Sequence, residues 1–264
     1  MAGVVLLAVL FTSTASFSQC KDVIWPTDAA TKAKAEESKV LYEDAKNSKQ
    51  YKRALVPLNW LLTNVPNFHS SLYINGADIY DELAETEKNP ARKKVYVDSL
   101  MIVYDLRMKH CGDDPVVFNR KALSYLKYNS SDQPAEALKM LDEAFKRSGN
   151  NIMDATLVPY FQVVRLNAAK LKNITDVQIL ERYDKLMAII DAKIQKTQSE
   201  GKPTDKYKKY KDDIDAMLIT MVKVDCDFVR ANLAPKFKQN PNDIALAKKI
   251  FSFMLQGKCT DDPL

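Results

Sequence analysis

The chain has 264 residues, 46% of them hydrophobic, with 39 basic and 34 acidic side chains and a net charge of +5. Only 6 glycines occur, and a β-rich protein of this length would need many more at its turns, so the composition favours helices. No segment beyond the N-terminus approaches the roughly 20 apolar residues of a transmembrane helix. The charge excess is milder than nucleic-acid binders usually carry, which disfavours that class of partner.

The first residues predict export. Residues 4–11 form an apolar run that is too short to span a bilayer. Ser16 and Ser18 supply the small side chains wanted before a signal-peptidase cleavage site, which predicts a signal peptide over residues 1–18. No Lys or Arg precedes the apolar run, so a buried N-terminal helix is the alternative interpretation.

Cys20 suggests a second alternative, in which the mature N-terminus carries a lipid. Lys21 and Asp22 after the cysteine resemble the surface-export signal of lipoproteins from the phylum Bacteroidota. Phe17 and Gln19 stand where a lipobox needs an aliphatic and a small residue, so the motif fits poorly. The sequence leaves open whether Cys20 is lipidated, paired or free.

Four cysteines in an exported chain predict disulfides, because oxidised thiols are typical of proteins outside the cytoplasm. Cys226 and Cys259 bracket the last predicted helices. A bridge between them closes a loop of about 33 residues, which the chain-entropy treatment values at roughly 3.5 to 4 kcal/mol. Cys20 and Cys111 are the remaining pair. Four free thiols are the alternative if the chain is not exported.

From Ala29 onward the chain predicts one helix after another, because apolar residues recur at helical spacing between turn signals. Pro57 lies inside the second helix and predicts a bend or a local break. The predicted helices cover residues 31–47, 50–65, 72–86, 90–110, 116–128, a segment from Pro134, 154–170, 175–198, 205–224 and 245–256.

Two of these hairpins carry the spaced residues of the 34-residue tetratricopeptide repeat. Small side chains at these positions let antiparallel helices approach closely, and larger apolar ones fill the space to the next hairpin. The sequence thus predicts an all-α fold, a TPR-like α-solenoid of stacked antiparallel helical hairpins over residues 19–150, continued by longer irregular helices over 151–264. The matching residues are Leu41, Tyr42, Ala45, Ala54, Leu58, Leu61 and Pro66, and later Ala137, Leu141 and Ala144.

Residues 54–77, 104–107 and 234–261 resemble exported tetratricopeptide-type proteins of Bacteroidota. The resemblance covers most of the chain beyond the signal peptide. It implies an α-helical protein of the cell envelope, in a family without an assigned activity, so no catalytic residue is carried over.

Motifs for catalysis are missing from the sequence. It contains no GxSxG, Walker, GxGxxG or EF-hand pattern. His69 and His110 lie at predicted hairpin ends without the spacing of metal ligands, and neighbouring carboxylates fit caps and turns. We therefore predict a protein that is not an enzyme and has no cofactor and no metal.

The leading hypothesis is a protein-binding scaffold of the bacterial envelope, in the periplasm or associated with the outer membrane. Its partner would be a protein of an envelope or outer-membrane complex, docked on a concave face formed by the first helices of the hairpins. The candidate contact residues on those helices are Tyr42, Asn75, Asp78, Asn119 and Lys121.

The alternative hypothesis is an accessory subunit that binds an anionic glycan or lipopolysaccharide. Its candidate site is the densest basic cluster of the chain, which is interleaved with two tyrosines. Nearby aspartates would cancel much of its field. The cluster consists of Lys202, Lys206, Lys208, Lys209 and Lys211.

Overall fold

The computed structural model describes residues 20–222 and 225–259, and within these residues it contains twelve α-helices and no strand. The predicted all-α fold is confirmed. The predicted signal peptide lies outside the described residues. The helices are α1 (Ala29–Asn47), α2 (Tyr51–Asn64), α3 (Ser70–Thr86), α4 (Pro90–Cys111), α5 (Pro115–Asn129), α6 (Pro134–Ser148), α7 (Asp154–Leu166), α8 (Asp176–Ser199), α9 (Asp205–Met221), α10 (Cys226–Asn232), α11 (Ala234–Gln239) and α12 (Ile244–Gln256).

Polar side chains define where several helices begin, because they accept hydrogen bonds from the first free backbone N–H groups. Asp28 accepts from the Thr31 amide at 2.7 Å and so starts α1. At the start of α8, Thr175 and Gln178 form a capping box. Asp243 starts α12 by accepting from the amide of Leu246 at 2.9 Å.

The chain stays helical through Pro57, so of the predicted bend or local break the break is absent and the bend stays a prediction. Residues 226–239, which the periodicity did not resolve, form the two short helices α10 and α11. The last residue of the predicted helix 205–224, Val224, lies outside the described residues.

The chain forms two compact units, divided between Ser124 and Tyr125 inside α5. The predicted change at residue 150, from TPR-like hairpins to a helical continuation of the same array, is a different kind of division and stays a prediction. In the first unit α1 packs on α2, α2 on α3, and α3 on α4. Gly76 lies where α3 meets its neighbours, since a Cβ there would be 3.4 Å from Val103 and 3.6 Å from Leu58.

A segment before α1 is fastened across the loop between α2 and α3. The amide of Ile24 donates to the carbonyl of Phe68 at 2.9 Å, and the Trp25 ring lies 4.7 Å from the Phe68 ring. The carbonyl of Cys20 accepts from the amide of Ser70 at 3.0 Å. A disulfide joins Cys20 to Cys111 at the end of α4.

In the second unit α7 is the central helix, in contact with α6, α8 and α9. Its buried residues include Leu157 and Phe161, which build the core together with Leu186 and Ile214. Helices α10, α11 and α12 pack together, and a second disulfide joins Cys226 to Cys259. The prediction of disulfides in this chain is confirmed.

Candidate functional site

A polar row joins α1 to α3 in the first unit. The Lys46 Nζ donates to Asn75 Oδ1 at 2.6 Å and to Asp78 Oδ2 at 2.9 Å. Asn75 Nδ2 donates to the hydroxyl oxygen of Tyr42 at 3.4 Å. Residues three or four apart share a helix face, so Tyr42 and Lys46 face α3 together and Asn75 and Asp78 face α1 together. Three of the five predicted contact residues thus meet at this row.

The predicted contact residues differ in solvent exposure, with some buried and others accessible. Tyr42 is fully buried, and burial is the main reason that its pKa rises to about 12, so its hydroxyl is a neutral structural group. Asn119, another predicted contact residue, is also fully buried. Asp78 is exposed and Lys46 is about a quarter exposed, so they form the accessible part of the row.

A second polar contact lies between α4 and α5. The Lys121 Nζ donates to Asp105 Oδ1 at 2.6 Å, and the hydroxyls of Tyr104 and Ser124 are 3.2 Å apart. Burial raises the pKa of Tyr104, and the charges of Asp81, Arg120 and Asp78 also act on it. Lys121, the fifth predicted contact residue, is therefore engaged with a carboxylate of α4.

The exposed side of α3 combines apolar and acidic side chains. Ile74 is 43% exposed and lies one helical turn before Asp78. The helix carries four acidic residues and no Lys or Arg, although the whole chain has a net charge of +5. This face would repel an acidic partner and attract a basic one. The acidic residues are Asp78, Asp81, Glu82 and Glu85.

A different groove, of about 620 Å³, lies between α2 and α4. Tyr80 of α3 forms part of its lining and donates a hydrogen bond to Asn59 Oδ1 at 2.8 Å. Leu62, Val103 and the half-exposed Ile102 supply its apolar surface. The first unit therefore offers two surfaces of different chemistry, one charged and one mostly apolar.

The predicted basic cluster in the second unit is not one continuous patch. Four of its five lysines pair with carboxylates. Lys202 and Lys206 line a pocket with two lysines of α8, whereas Lys211 belongs to a different cleft. The pairs are Lys202 with Glu200 (2.6 Å), Lys206 with Asp154 (2.7 Å), Lys208 with Asp205 (3.5 Å) and Lys211 with Asp191 (2.8 Å).

Asp154, the first residue of α7, holds three side chains that line that pocket. It accepts hydrogen bonds from Lys193 at 3.0 Å, from Lys206 at 2.7 Å and from the hydroxyl of Tyr207 at 2.9 Å. Burial alone would raise the pKa of Asp154, but these three donors outweigh it and the pKa falls below its usual value. Asp154 is therefore a carboxylate at neutral pH.

The sequence did not single out Lys46, Asp154, Lys193 or Lys196. Lys193 and Lys196 are three residues apart, so they share one face of α8. The neighbouring sequence gave no indication of which helices pack against that face. Asp154 lies in the first turn of α7, where an acidic residue complements the helix dipole, and this local role does not indicate its contacts with α8 and α9.

Histidines and acidic residues form no metal site in the part of the chain that the structure describes. His69 caps the start of α3, where its Nδ1 accepts from the amide of Ser71 at 3.1 Å. Its Nε2 lies 3.1 Å from the carbonyl oxygen of Lys21, so Nε2 carries the proton.

Both disulfides bear on where the protein resides. Two disulfides indicate an extracytoplasmic protein, because reducing systems keep most cytoplasmic thiols free. Among residues 20–222 and 225–259 no helix is both long and apolar enough to cross a membrane. The sulfur of Cys20 is bonded to Cys111, and a sulfur in a disulfide cannot also carry a lipid.

No protein-family model, curated protein or solved structure matches this chain.

Proposed function

We propose that this chain is a non-catalytic protein-binding scaffold of the bacterial cell envelope. A segment of a partner protein would dock on the face formed by α1 and α3, the first helices of a TPR-like array. The proposal includes export through a signal peptide, a periplasmic or outer-membrane-associated location, and kinship with the exported tetratricopeptide-type proteins of Bacteroidota.

The packing of the motif residues supports a TPR-like arrangement. Eight of the ten residues of the tetratricopeptide spacing are buried, as the close approach of paired helices requires, whereas Leu41 is 48% exposed and Pro66 is partly exposed. The side-by-side placement of α1 and α3, through Lys46 and Asp78, also agrees with stacked hairpins. The buried motif residues are Tyr42, Ala45, Ala54, Leu58 and Leu61, and later Ala137, Leu141 and Ala144.

The observation that carries the docking proposal is the chemistry of α3. Its exposed side combines Ile74 with four acidic side chains and lies against the Lys46 row. Lys46 pairs with Asp78, and the remaining excess of acidic side chains beside an apolar one favours a segment with complementary chemistry. The proposed partner segment therefore carries basic and apolar side chains.

The test compares two matched variants in the native cells. Ile74→Lys replaces the apolar side chain of the proposed face with a positive charge, which would repel a basic partner, and Val56→Lys makes the same change on α2, where Val56 is 80% exposed. Each tagged protein is cross-linked in the cells, purified and analysed by mass spectrometry. We expect the wild type and Val56→Lys to retain the same envelope protein and Ile74→Lys to lose it.

Two outcomes would contradict this function. In one, no protein is retained by the wild type in repeated experiments. In the other, both variants lose the partner equally, which would locate the contact elsewhere. A circular dichroism spectrum of each variant excludes loss of folding as the cause.

A second function, binding of a long anionic glycan or lipopolysaccharide through the 202–211 cluster, has less support. Four of the five lysines already face carboxylates, which weakens the field that a polymer would meet.

A further inference from the structure

The pocket that contains Lys202 and Lys206 has a volume of about 610 Å³ and lies entirely within the second unit. Two more lysines, Lys193 and Lys196, enter it from the end of α8. A volume of this order falls within the usual range of about 300–1,000 Å³ for sites that bind small molecules. The side chains of four lysines therefore line a space that can hold a compact ligand.

The charges around the pocket leave an excess of positive charge. Four lysines face two carboxylates, Asp154 beside the pocket and Glu200 in its lining, which leaves a net charge of about +2. Lys196 and Lys202 are exposed, so a ligand can reach their ammonium groups from solvent. The pocket thus selects for an anion.

Asp154 positions two of the lysines without using all of their protons. The Lys193 side chain is 13% exposed and donates to the carbonyl of Ile152 at 2.7 Å as well as to Asp154. Lys206 donates to the other oxygen of Asp154. An ammonium has three donors, so each keeps at least one that can bind a ligand. Their placement before binding lowers the entropy lost when the ligand arrives.

The uncharged part of the lining favours a ligand with hydroxyl groups. The amides of Asn150 and Asn151 and the hydroxyl of Thr197 can donate and accept hydrogen bonds. Pro203 and the ring of Tyr207 add an apolar surface. A sugar presents the same mixture of hydroxyl groups and C–H surface.

We propose that this pocket binds a phosphate monoester on a small polar body, such as a phosphorylated sugar. The site goes beyond the scaffold function, because it shares no residue with the α1–α3 face and lies in the other unit. A compact ligand fits better than a long polymer, since Lys208, Lys209 and Lys211 do not line the pocket. The phosphate would contact the ammonium groups, and the sugar hydroxyls the two asparagines.

The test uses isothermal titration calorimetry on the full exported chain with glucose 6-phosphate, inorganic phosphate and glucose, at fixed ionic strength. The pocket variant is Lys196→Glu/Lys202→Glu. Its control is Lys208→Glu/Lys209→Glu, which makes the same change of charge on nearby residues outside the pocket. We expect glucose 6-phosphate to bind more tightly than inorganic phosphate or glucose. The pocket variant should weaken binding at least about tenfold, and the control less than about twofold.

Three results would overturn the proposal. The first is no saturable binding of glucose 6-phosphate at millimolar concentration. The second is equal weakening in the two variants, which would attribute binding to the general field of the surface. The third is equal affinity for inorganic phosphate and glucose 6-phosphate, which would remove the role of the sugar.

The phosphate ester has two natural sources, a soluble sugar phosphate and the phosphorylated sugar headgroup of a glycolipid. Co-sedimentation with phosphatidylcholine vesicles that contain lipid A distinguishes them. Sedimentation of the wild type and not of the pocket variant supports the site with a lipid source. Binding of glucose 6-phosphate without sedimentation supports it with a soluble source.

Discussion

Arg182 of α8 holds Asp142 of α6 through two hydrogen bonds, 2.7 Å from Nη2 to Oδ2 and 3.3 Å from Nε to Oδ1. The same carboxylate accepts from the hydroxyl of Tyr160 on α7 at 2.7 Å. Burial raises the pKa of Tyr160, and the charge of Asp142 raises it further, so the phenol remains protonated. Three helices of the second unit therefore meet at one carboxylate.

We expect Asp142→Ala to lower the free energy of unfolding by about 2–4 kcal/mol. The substitution leaves the half-buried guanidinium of Arg182 and the hydroxyl of Tyr160 without this acceptor. Urea unfolding measures the change. Glu143→Ala is the matched control, because Glu143 pairs with Arg147 four residues along the same helix at the surface. Glu143→Ala should lower the free energy of unfolding by less than about 1 kcal/mol. Equal losses in the two variants would show that the shared carboxylate has no special role.

The lowered pKa of Asp154 predicts that the free energy of unfolding depends on pH. Its pKa in the folded protein lies below the usual 3.8, because three donors outweigh the effect of burial. A lowered pKa stabilises the fold above the unfolded value, and this contribution is lost as the pH falls through the folded value. We expect Asp154→Asn to be destabilising at pH 7. The difference from the wild type should shrink as the pH falls below 3.8, which urea unfolding at a series of pH values measures.

Asp215 has a pKa that is raised rather than lowered in the folded protein. Burial raises it, and this effect outweighs the lowering by the Tyr183 hydroxyl and by the charges of Lys249 and Lys211. A raised pKa favours the fold below the unfolded value, and the contribution is lost as the pH rises. Asp215→Asn should therefore be neutral or stabilising at pH 7. A loss as large as that of Asp154→Asn would contradict the assigned directions.

Local signals made much of the helix order predictable, whereas the contacts between helices were not. Asn89 and Pro90 mark the start of α4, and Asp243 marks the start of α12, because caps act within a few residues. The pairs that build the candidate sites span long distances in sequence: 32 residues for Lys46 and Asp78, and 52 for Lys206 and Asp154. Their formation depends on how the helices pack, which a local pattern does not contain. The short α10 and α11 offer too few turns for periodicity to detect.

Gly76 allows a test of how closely α3 approaches α4. An added Cβ would lie 3.4 Å from Val103 and 3.6 Å from Leu58, which is ordinary contact. Alanine also favours a helix over glycine by up to about 1 kcal/mol. We therefore expect Gly76→Ala to be neutral or to stabilise the protein by up to about 1 kcal/mol. Gly76→Leu should cost more than about 2 kcal/mol, because no space remains for the larger side chain. Thermal unfolding distinguishes the two, and equal effects would contradict this packing.

We expect the Cys20–Cys111 disulfide to be present in the protein isolated from its native cells. Peptide mapping without reduction should find these two cysteines joined. The bridge joins residues that are 91 apart in sequence. Closing a loop of this length stabilises the folded state by about 4.6 kcal/mol in the chain-entropy treatment. We therefore expect Cys111→Ser to lower the free energy of unfolding by up to that amount. It should also release the segment before α1, which amide exchange at Ile24 reports through its bond to Phe68.

The Cys226–Cys259 bridge is the internal control for this measurement. Its loop of 33 residues predicts a smaller loss, about 3.7 kcal/mol, and its removal should leave the exchange of Ile24 unchanged because it lies in the other unit. A lipid on Cys20 in the native protein would overturn the prediction, since the thioether and the disulfide compete for one sulfur. In that case Cys111 would be recovered as a free thiol, and attachment to the membrane would replace the disulfide as the constraint on the N-terminal segment.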